Sequence, residues 1–167
     1  MSVELISKLR EMTSAGIKDC NNALKEANND LEKAVQILRE KGIASAVKRA
    51  DRSAKQGTVV AKISPDKKIG VLVEVNCETD FVAKTDNFKA LVNSIANHVE
   101  KSNSNENILD QKYDDSQTVK DLITNAIATI GENIVLKRAV KFQSTGVVSS
   151  YVHGELGTLG VLVNFEC

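Results

Sequence analysis

The chain has 167 residues, and its 22 Lys and Arg balance its 22 Asp and Glu, so the formal net charge is zero. This balance argues against a nucleic-acid-binding protein, because such proteins usually carry a basic excess where they contact phosphate. The three cysteines lie far apart without a CxxC pair, which argues against a disulfide framework and for a reducing compartment. No apolar run approaches the roughly 18 residues of a membrane span, and the N-terminus lacks a targeting pattern, so we expect a cytoplasmic protein.

The N-terminal quarter of the chain carries three short helical patterns. Asp30 suits the N-cap of the third helix, and Gly42 suits the position just after its C-terminus. Helices this short are not stable alone, so we expect them to pack as a small bundle over residues 1–42, which is more typical of a docking module than of an enzyme. Apolar residues recur at helical spacing in residues 3–12, 17–27 and 31–41.

Residues 43–56 are predicted to form a fourth, linker helix. Its alanines leave little apolar surface for packing, which favours a solvated helix, and a face that binds phosphate or acidic groups is the alternative. The basic residues of this segment are Lys48, Arg49, Arg52 and Lys55.

The periodicity changes after Gly57, where two strands and a turn are predicted to form a hairpin. Pro65 and Asp66 favour the turn, and the second strand is apolar enough to be buried on nearly both faces. With the helices and the strand that follow, this hairpin predicts an α+β core half over residues 57–143, in which helices cover one face of an antiparallel sheet. The predicted strands are 57–63, 69–76 and 134–142, and the predicted helices are 86–101 and 119–130.

The hairpin pattern occurs twice in the chain. Gly-Val-Leu-Val at 70–73 recurs at 160–163, and the same interval separates Cys77 from Cys167. A repeat of this length indicates two similar α+β halves rather than a solenoid, whose period is about 20–50 residues. The second copy, residues 144–167, has its hairpin but no helices, so we expect an uncovered apolar face and a fold that continues beyond residue 167. The alternative is a hairpin that merely extends the first sheet.

The sequence contains no recognisable nucleotide-binding, metal-binding or catalytic motif. It has no phosphate-binding glycine loop, and its two histidines, His98 and His153, have no metal-ligand spacing to a cysteine. We therefore expect no catalytic residues, no metal and no cofactor. A thiol enzyme using Cys77 is a rival class, although no histidine is placed by the sequence to activate it.

An acidic and aromatic stretch directly follows the second strand. Glu78 and Asp80 precede Phe81 at a strand-to-helix junction, where loops often carry function. One interpretation is that Thr79 or Asp80 caps the next helix and Phe81 packs over its first turn as a hydrophobic staple. The other is that this stretch is a functional tip.

Several blocks of the sequence resemble the translation elongation factor Ts family. Together they span the chain in the family's order, and its length resembles a C-terminally truncated long form. The blocks are Leu9-Arg10-Glu11-Met12-Thr13-Ser14-Ala15-Gly16, Ala34-Val35-Gln36-Ile37-Leu38-Arg39-Glu40-Lys41-Gly42, Val73-Glu74-Val75-Asn76-Cys77-Glu78-Thr79-Asp80-Phe81-Val82-Ala83-Lys84, Ile130-Gly131-Glu132-Asn133-Ile134 and Tyr151-Val152-His153-Gly154.

The resemblance implies a guanine-nucleotide exchange factor for elongation factor Tu, with no catalytic residues of its own. It implies that the N-terminal module is similar to ubiquitin-associated (UBA) three-helix bundles and docks on the partner. Within Thr79–Val82, Asp80 and Phe81 would enter a cleft near the partner's magnesium and phosphate site and promote GDP release. Further contacts would fall on Arg10, Ile17, Lys18, Ile130, Gly131 and His153.

The resemblance implies neither nucleic acid nor membrane as a partner, and it leaves a homodimer open. The alternative function is a non-catalytic UBA-like binding module without exchange activity, because a small helical bundle can serve for docking alone.

Overall fold

The computed structural model describes residues 3–13, 15–104, 106–155 and 157–166, so Ser14 and Cys167 of the motifs above lie outside it. Helices and antiparallel sheets form two compact units, which confirms the α+β class. The first unit comprises Met1–Asp51 and Thr124–Glu132, and the second comprises Arg52–Ile123 and Asn133–Cys167. Among the described residues, no helix has the length and apolar character needed to cross a bilayer.

Three helices pack around one apolar cluster in the first unit: α1 (Val3–Thr13), α2 (Ile17–Glu26) and α3 (Leu31–Arg49). Asp30 caps α3, since its carboxylate accepts a hydrogen bond from the Lys33 amide at 3.0 Å, as predicted. Met12 and Ile17 belong to the helical apolar patterns of residues 3–12 and 17–27 but are exposed, because they stand at helix ends. The buried residues of the cluster are Leu9, Cys20, Ala23, Leu24, Ala27 and Ala34.

The predictions that the third helix ends at Gly42 and that a separate linker helix follows over 43–56 are wrong. α3 continues without a break to Arg49, and the segment from Ala50 to Lys55 is not helical. The alanines after Gly42 have high helix propensity and continue the helix through the glycine. Gly42 is buried, and a Cβ built on it would lie 3.5 Å from the Cβ of Ala128, so it packs against a neighbouring helix instead of ending its own.

An antiparallel sheet with helices against it organises the second unit. The elements are β1 (Gln56–Ile63), β2 (Ile69–Cys77), α4 (Asp80–Ala83), α5 (Asp86–Lys101), α6 (Val119–Ile130), which contributes to both units, and β3 (Val135–Gln143). The strand order of the sheet is β1-β2-β3. Val71, Val73 and Val75 of the sheet are fully buried, and the apolar stripe of α5 packs on the sheet, as the periodicity predicts. A short 3-10 turn in the polar loop also buries Ile108, which the sequence patterns missed.

The second hairpin, β4 (Val147–His153) and β5 (Leu159–Phe165), forms a sheet of its own. It packs on β1 and β2 but does not pair with them edge to edge, so the alternative of an extended first sheet is wrong. Its strand register repeats that of the first hairpin, because Thr58 pairs with Val75 and the equivalent Val147 pairs with Phe165. The internal repeat is therefore structural.

The two faces of the second hairpin have different surroundings. Val148 on the inner face is buried, and it lies beside Gly70 of β2. On the outer face Val161, Val163 and Phe165 are exposed, so the uncovered apolar face predicted from the repeat is present. Their equivalents in the first hairpin are the three buried valines of β2, which α5 covers.

Candidate functional site

The tip, which we define as residues 79–82, is a helical turn fixed at both ends. At its start Thr79 caps α4, since its hydroxyl accepts from the Val82 amide at 3.3 Å. At its end Thr85 donates from its hydroxyl to the Val82 carbonyl at 2.8 Å, and it caps α5 by accepting from the Phe88 amide. Of the two predicted cap residues, Thr79 and Asp80, the structure has Thr79 as the cap, and a second threonine cap, Thr85, follows it. In a four-residue helix most backbone amides and carbonyls have no partner within the helix, so such caps are needed to stabilise it.

Phe81 projects from this turn, and its side chain is 76% exposed. The interpretation of Phe81 as a staple over the first helical turn is therefore wrong. Ala83, at the other side of the same turn, is the residue that is buried against the unit. A ring exposed to this extent has apolar surface that another protein can bury, which is where aromatic residues contribute most to binding.

Asp80 lies beside Phe81 and pairs with a lysine one helical turn later. The Oδ2 of Asp80 is 2.6 Å from the Nζ of Lys84, and both side chains are about half exposed. The hydrogen bond from Lys84 holds the pKa of Asp80 below its ordinary value, so the carboxylate is charged at neutral pH. The same ammonium lies 5.9 Å from the centroid of the Phe81 ring. Exposed pairs of this kind contribute little to stability, so this one can open at small cost when a binding partner approaches.

Glu78 anchors the base of the tip, and sequence reasoning missed its contacts. Its Oε1 accepts from the backbone amide of Asn133 at 2.7 Å and lies 3.6 Å from Nη1 of Arg52. The side-chain amide of the buried Asn133 donates to the Arg52 carbonyl at 2.7 Å. No local pattern could reveal this cluster, because its members come from three distant segments of the chain.

Two of the basic residues in the predicted linker form internal contacts, which leaves fewer for an acid-binding face. Arg52 pairs with Glu78 in the second unit, as described above. In the first unit Arg49 donates from Nε to the Gly131 carbonyl at 3.0 Å and from Nη1 to the Ser45 carbonyl at 3.1 Å. Gly131 has a φ of 87°, which is the left-handed region that glycine accepts readily. Arg49 therefore fixes the turn after α6.

The predicted docking residues of the first unit occupy two segments. Arg10, Ile17 and Lys18 are exposed, at the end of α1 and the start of α2. Ile130 and Gly131 are half-buried at the C-terminal end of α6. The two segments therefore offer accessible surface of the kind that docking requires.

His153 belongs to the second unit, where it ends β4. Its ring is exposed, and its Nδ1 lies 2.9 Å from the hydroxyl oxygen of Tyr151. Val152 and Gly154, its neighbours, line a cleft of about 200 Å³ together with Ala83. The fold thus brings the neighbours of His153 and the end of α4 together around one cleft.

The chemistry available to the described residues agrees poorly with a thiol enzyme. Cys77 is buried, and its Sγ donates to the Thr79 carbonyl at 3.1 Å. Cys20 is buried as well, and burial raises the pKa of its thiol. Within the described residues, no group of three or more His, Cys, Asp or Glu could hold a metal ion.

The fold is that of an α+β protein with a small helical module, and comparison with known proteins identifies its family. A family model described as elongation factor TS matches residues 78–167. The chain is similar to elongation factor Ts of Clostridium acetobutylicum, with 51% identity over 99% of this chain and 55% of that protein. The corresponding proteins of Halothermothrix orenii and Aquifex aeolicus are 49% and 46% identical over 99% of this chain, covering 56% and 60% of each.

The chain therefore belongs to the elongation factor Ts family, which confirms the resemblance found in the sequence. It spans about half the length of the curated relatives it matches.

Proposed function

We propose that the chain acts in translation elongation as a guanine-nucleotide exchange factor for elongation factor Tu. The observation that carries the proposal is Phe81, an exposed ring on a turn whose two ends are capped. Family membership supports elongation factor Tu as the partner. An exchange factor makes and breaks no covalent bond, which fits the buried thiols of the described residues and the absence of recognisable catalytic motifs.

The tip would act by occupying space and competing for contacts near the bound nucleotide. Phe81 would be buried in a cleft of the partner and push apart the elements that line it. The charged Asp80 would compete for groups ordered around Mg²⁺, an ion that tolerates little distortion of its octahedral shell. Both effects weaken nucleotide binding, and by reciprocity bound nucleotide weakens the partner's affinity for the tip.

The required energy is within the range of two central contacts. Lowering the partner's affinity for nucleotide about a thousandfold requires about 4 kcal/mol of coupling free energy. Central interface side chains often contribute about 2 kcal/mol or more each, so Asp80 and Phe81 together are of the right order.

Docking would be divided among the other predicted contacts. The three-helix module, with Arg10, Ile17 and Lys18, would serve as a UBA-like docking domain over residues 1–42. Ile130, Gly131 and His153 would add contacts from the α+β core half, residues 57–143, and from the second hairpin, residues 144–167. The exposure of Ile17 supports this role, because an exposed apolar residue gains most from burial at an interface.

The test is stopped-flow release of fluorescent GDP from elongation factor Tu at saturating concentrations of the chain. Phe81→Ala is expected to lower the saturated release rate by about tenfold or more, consistent with the loss of a central hot spot. Phe165→Ala is the matched control, since Phe165 is also exposed but lies outside the tip, and it should leave the rate within about twofold. A saturated release rate that Phe81→Ala leaves unchanged would contradict the proposal that Phe81 pushes apart the elements of the partner's cleft.

The alternative is a UBA-like binding module without exchange activity. It is favoured by the separate apolar cluster of the three helices, which gives that module a core of its own. This function predicts that the unaltered chain binds elongation factor Tu and leaves GDP release at its intrinsic rate. The same stopped-flow measurement, combined with a binding isotherm, separates the two functions.

A further inference from the structure

Glu78 contacts its neighbours in a way that differs from an ordinary surface ion pair. The 2.7 Å bond from the Asn133 amide is short, and a backbone amide, unlike a lysine or arginine side chain, has a fixed direction. Asn133 is 4% exposed, so the donor is held by the interior of the unit. The Arg52 contact, at 3.6 Å, is the looser of the two.

This anchor lies one residue before the tip. Cys77, on the other side of Glu78, ends β2 and bonds through its thiol to the Thr79 carbonyl at 3.1 Å. Thr79 in turn caps α4. A helix of four residues cannot maintain its own direction, because helix formation is cooperative and its first turn is costly. The direction in which Asp80 and Phe81 project therefore depends on how residues 77–79 are held.

We infer that Glu78 is a positioning residue, which aims the tip by binding the Asn133 amide. The inference rests on the proposed function, because it concerns the approach of Asp80 and Phe81 to a partner. Loss of the Glu78 carboxylate frees the base of α4 to rotate, so the tip spends less time in the orientation that the partner's cleft accepts. Docking by the three-helix module is unaffected by this change, so the loss falls on the saturated release rate.

The test compares three variants of the full chain in the GDP-release assay. Glu78→Ala removes the acceptor, and Glu78→Gln keeps an amide oxygen that can accept from Asn133. The matched control is Glu74→Ala: Glu74 lies on β2, which ends one residue before Glu78, has similar side-chain exposure (20% against 22%) and pairs with Arg138 at 2.7 Å. The change is made at Glu78 instead of Asn133 because Asn133 is buried and its loss would disturb folding.

Glu78→Ala is expected to lower the saturated release rate about tenfold, and its half-saturating concentration is expected to stay within about threefold of the unaltered chain. Glu78→Gln should recover most of the rate, and Glu74→Ala should stay within about twofold of the unaltered chain. A saturated rate that Glu78→Ala leaves unchanged overturns the inference, as does an equal loss in Glu74→Ala.

Hydrogen exchange separates a failure of this inference from a failure of the proposed function. The amides of Ala83, Lys84 and Thr85 bond to carbonyls within the turn and report its persistence. Glu78→Ala should raise their exchange rates about tenfold over those of Glu74→Ala. If the unaltered chain does not speed GDP release, the proposed function fails and this comparison alone decides the inference. Unchanged protection in Glu78→Ala overturns it in either case.

Discussion

The amide of Val148 donates a hydrogen bond to the Lys67 carbonyl at 2.8 Å, and the amide of Val59 donates to the Gly157 carbonyl at 2.7 Å. The two bonds join equivalent positions of the repeated hairpins in reciprocal fashion. Both acceptor residues have a left-handed backbone, with φ of 57° and 60°. The hairpins therefore pack about a local pseudo-two-fold axis, each supplying its turn to the other's first strand.

The same pseudo-symmetry places a glycine of each hairpin against the other hairpin. A Cβ built on Gly70 would lie 2.3 Å from Cγ1 of Val148, and one built on Gly160 would lie 2.5 Å from Cγ1 of Val59. Each of the variants Gly70→Ala and Gly160→Ala should lower the free energy of unfolding by about 1–3 kcal/mol, as overpacking does. Urea denaturation followed by circular dichroism measures this.

Gly42→Ala is the control for those two variants. Its added Cβ would meet Ala128 at an ordinary 3.5 Å, inside an unbroken helix. Because alanine is the better helix former, this change should raise stability by about 0.5–1 kcal/mol. Equal effects of the three alanine substitutions would contradict the close packing of the two hairpins.

Val73 and Val163 occupy equivalent strand positions with opposite surroundings. Val73 is fully buried, and Val163 is 38% exposed on the uncovered outer face. Val73→Thr should lower the free energy of unfolding by about 2 kcal/mol, because it buries a hydroxyl at a position that is apolar in the native chain. Val163→Thr should stay within about 0.5 kcal/mol of the unaltered chain, as surface changes usually do.

A fluorescent apolar dye such as ANS provides the second measurement on this pair. The exposed outer face should bind the dye in the native chain, and Val163→Thr should reduce that signal while Val73→Thr leaves it intact until unfolding begins. Dye binding that does not depend on Val163 would place the accessible apolar surface elsewhere.

Sequence patterns predicted the elements well where the determining contacts are local. The cap at Asp30 and the cap at Thr79 depend on bonds that span three residues; the sequence identified the first and narrowed the second to Thr79 or Asp80. The repeat also predicted an uncovered face. The prediction at Gly42 failed because a glycine is typical of a helix end, whereas here the alanines after it continue the helix and it packs beside Ala128.

The candidate site was also predictable only in part. The sequence indicated Asp80 and Phe81 as a functional pair, but could not show that Phe81 is exposed instead of packed on the next helix. It could not reveal the bond between Glu78 and Asn133, because tertiary folding alone brings them together. Asp80 and Phe81 are predicted from a motif, whereas the contacts that hold them are distributed over the chain.

Arg49 is predicted to stabilise the first unit through its bond to Gly131. Arg49→Met keeps much of the aliphatic bulk but removes the donors to the carbonyls of Gly131 and Ser45, which should cost about 1–2 kcal/mol of unfolding free energy. Lys48→Met, at the adjacent exposed position, is the control and should have little effect. Thermal denaturation of both variants checks this, and similar losses would show that charge alone is responsible.

The last prediction concerns the charge of the tip. Because Lys84 donates to Asp80, the pKa of Asp80 is lowered from 3.8 in the folded chain. A lowered pKa means that the pair stabilises the fold above the ordinary pKa, and this contribution is lost as pH falls through the folded value. Lys84→Met should therefore return the pKa of Asp80 toward 3.8, measured from its carboxyl carbon by NMR.

The control for this titration is Asp114, whose pKa is lowered to about 2 by the side chains of Gln117 and Ser116 and should not respond to Lys84→Met. Asp80 stays ionised at neutral pH in both chains, so Asp80 should introduce no pH dependence of GDP release between about pH 6 and 8. If Lys84→Met left the pKa of Asp80 unchanged, the pair would not form in solution, and Asp80 would meet a partner without first having to leave Lys84.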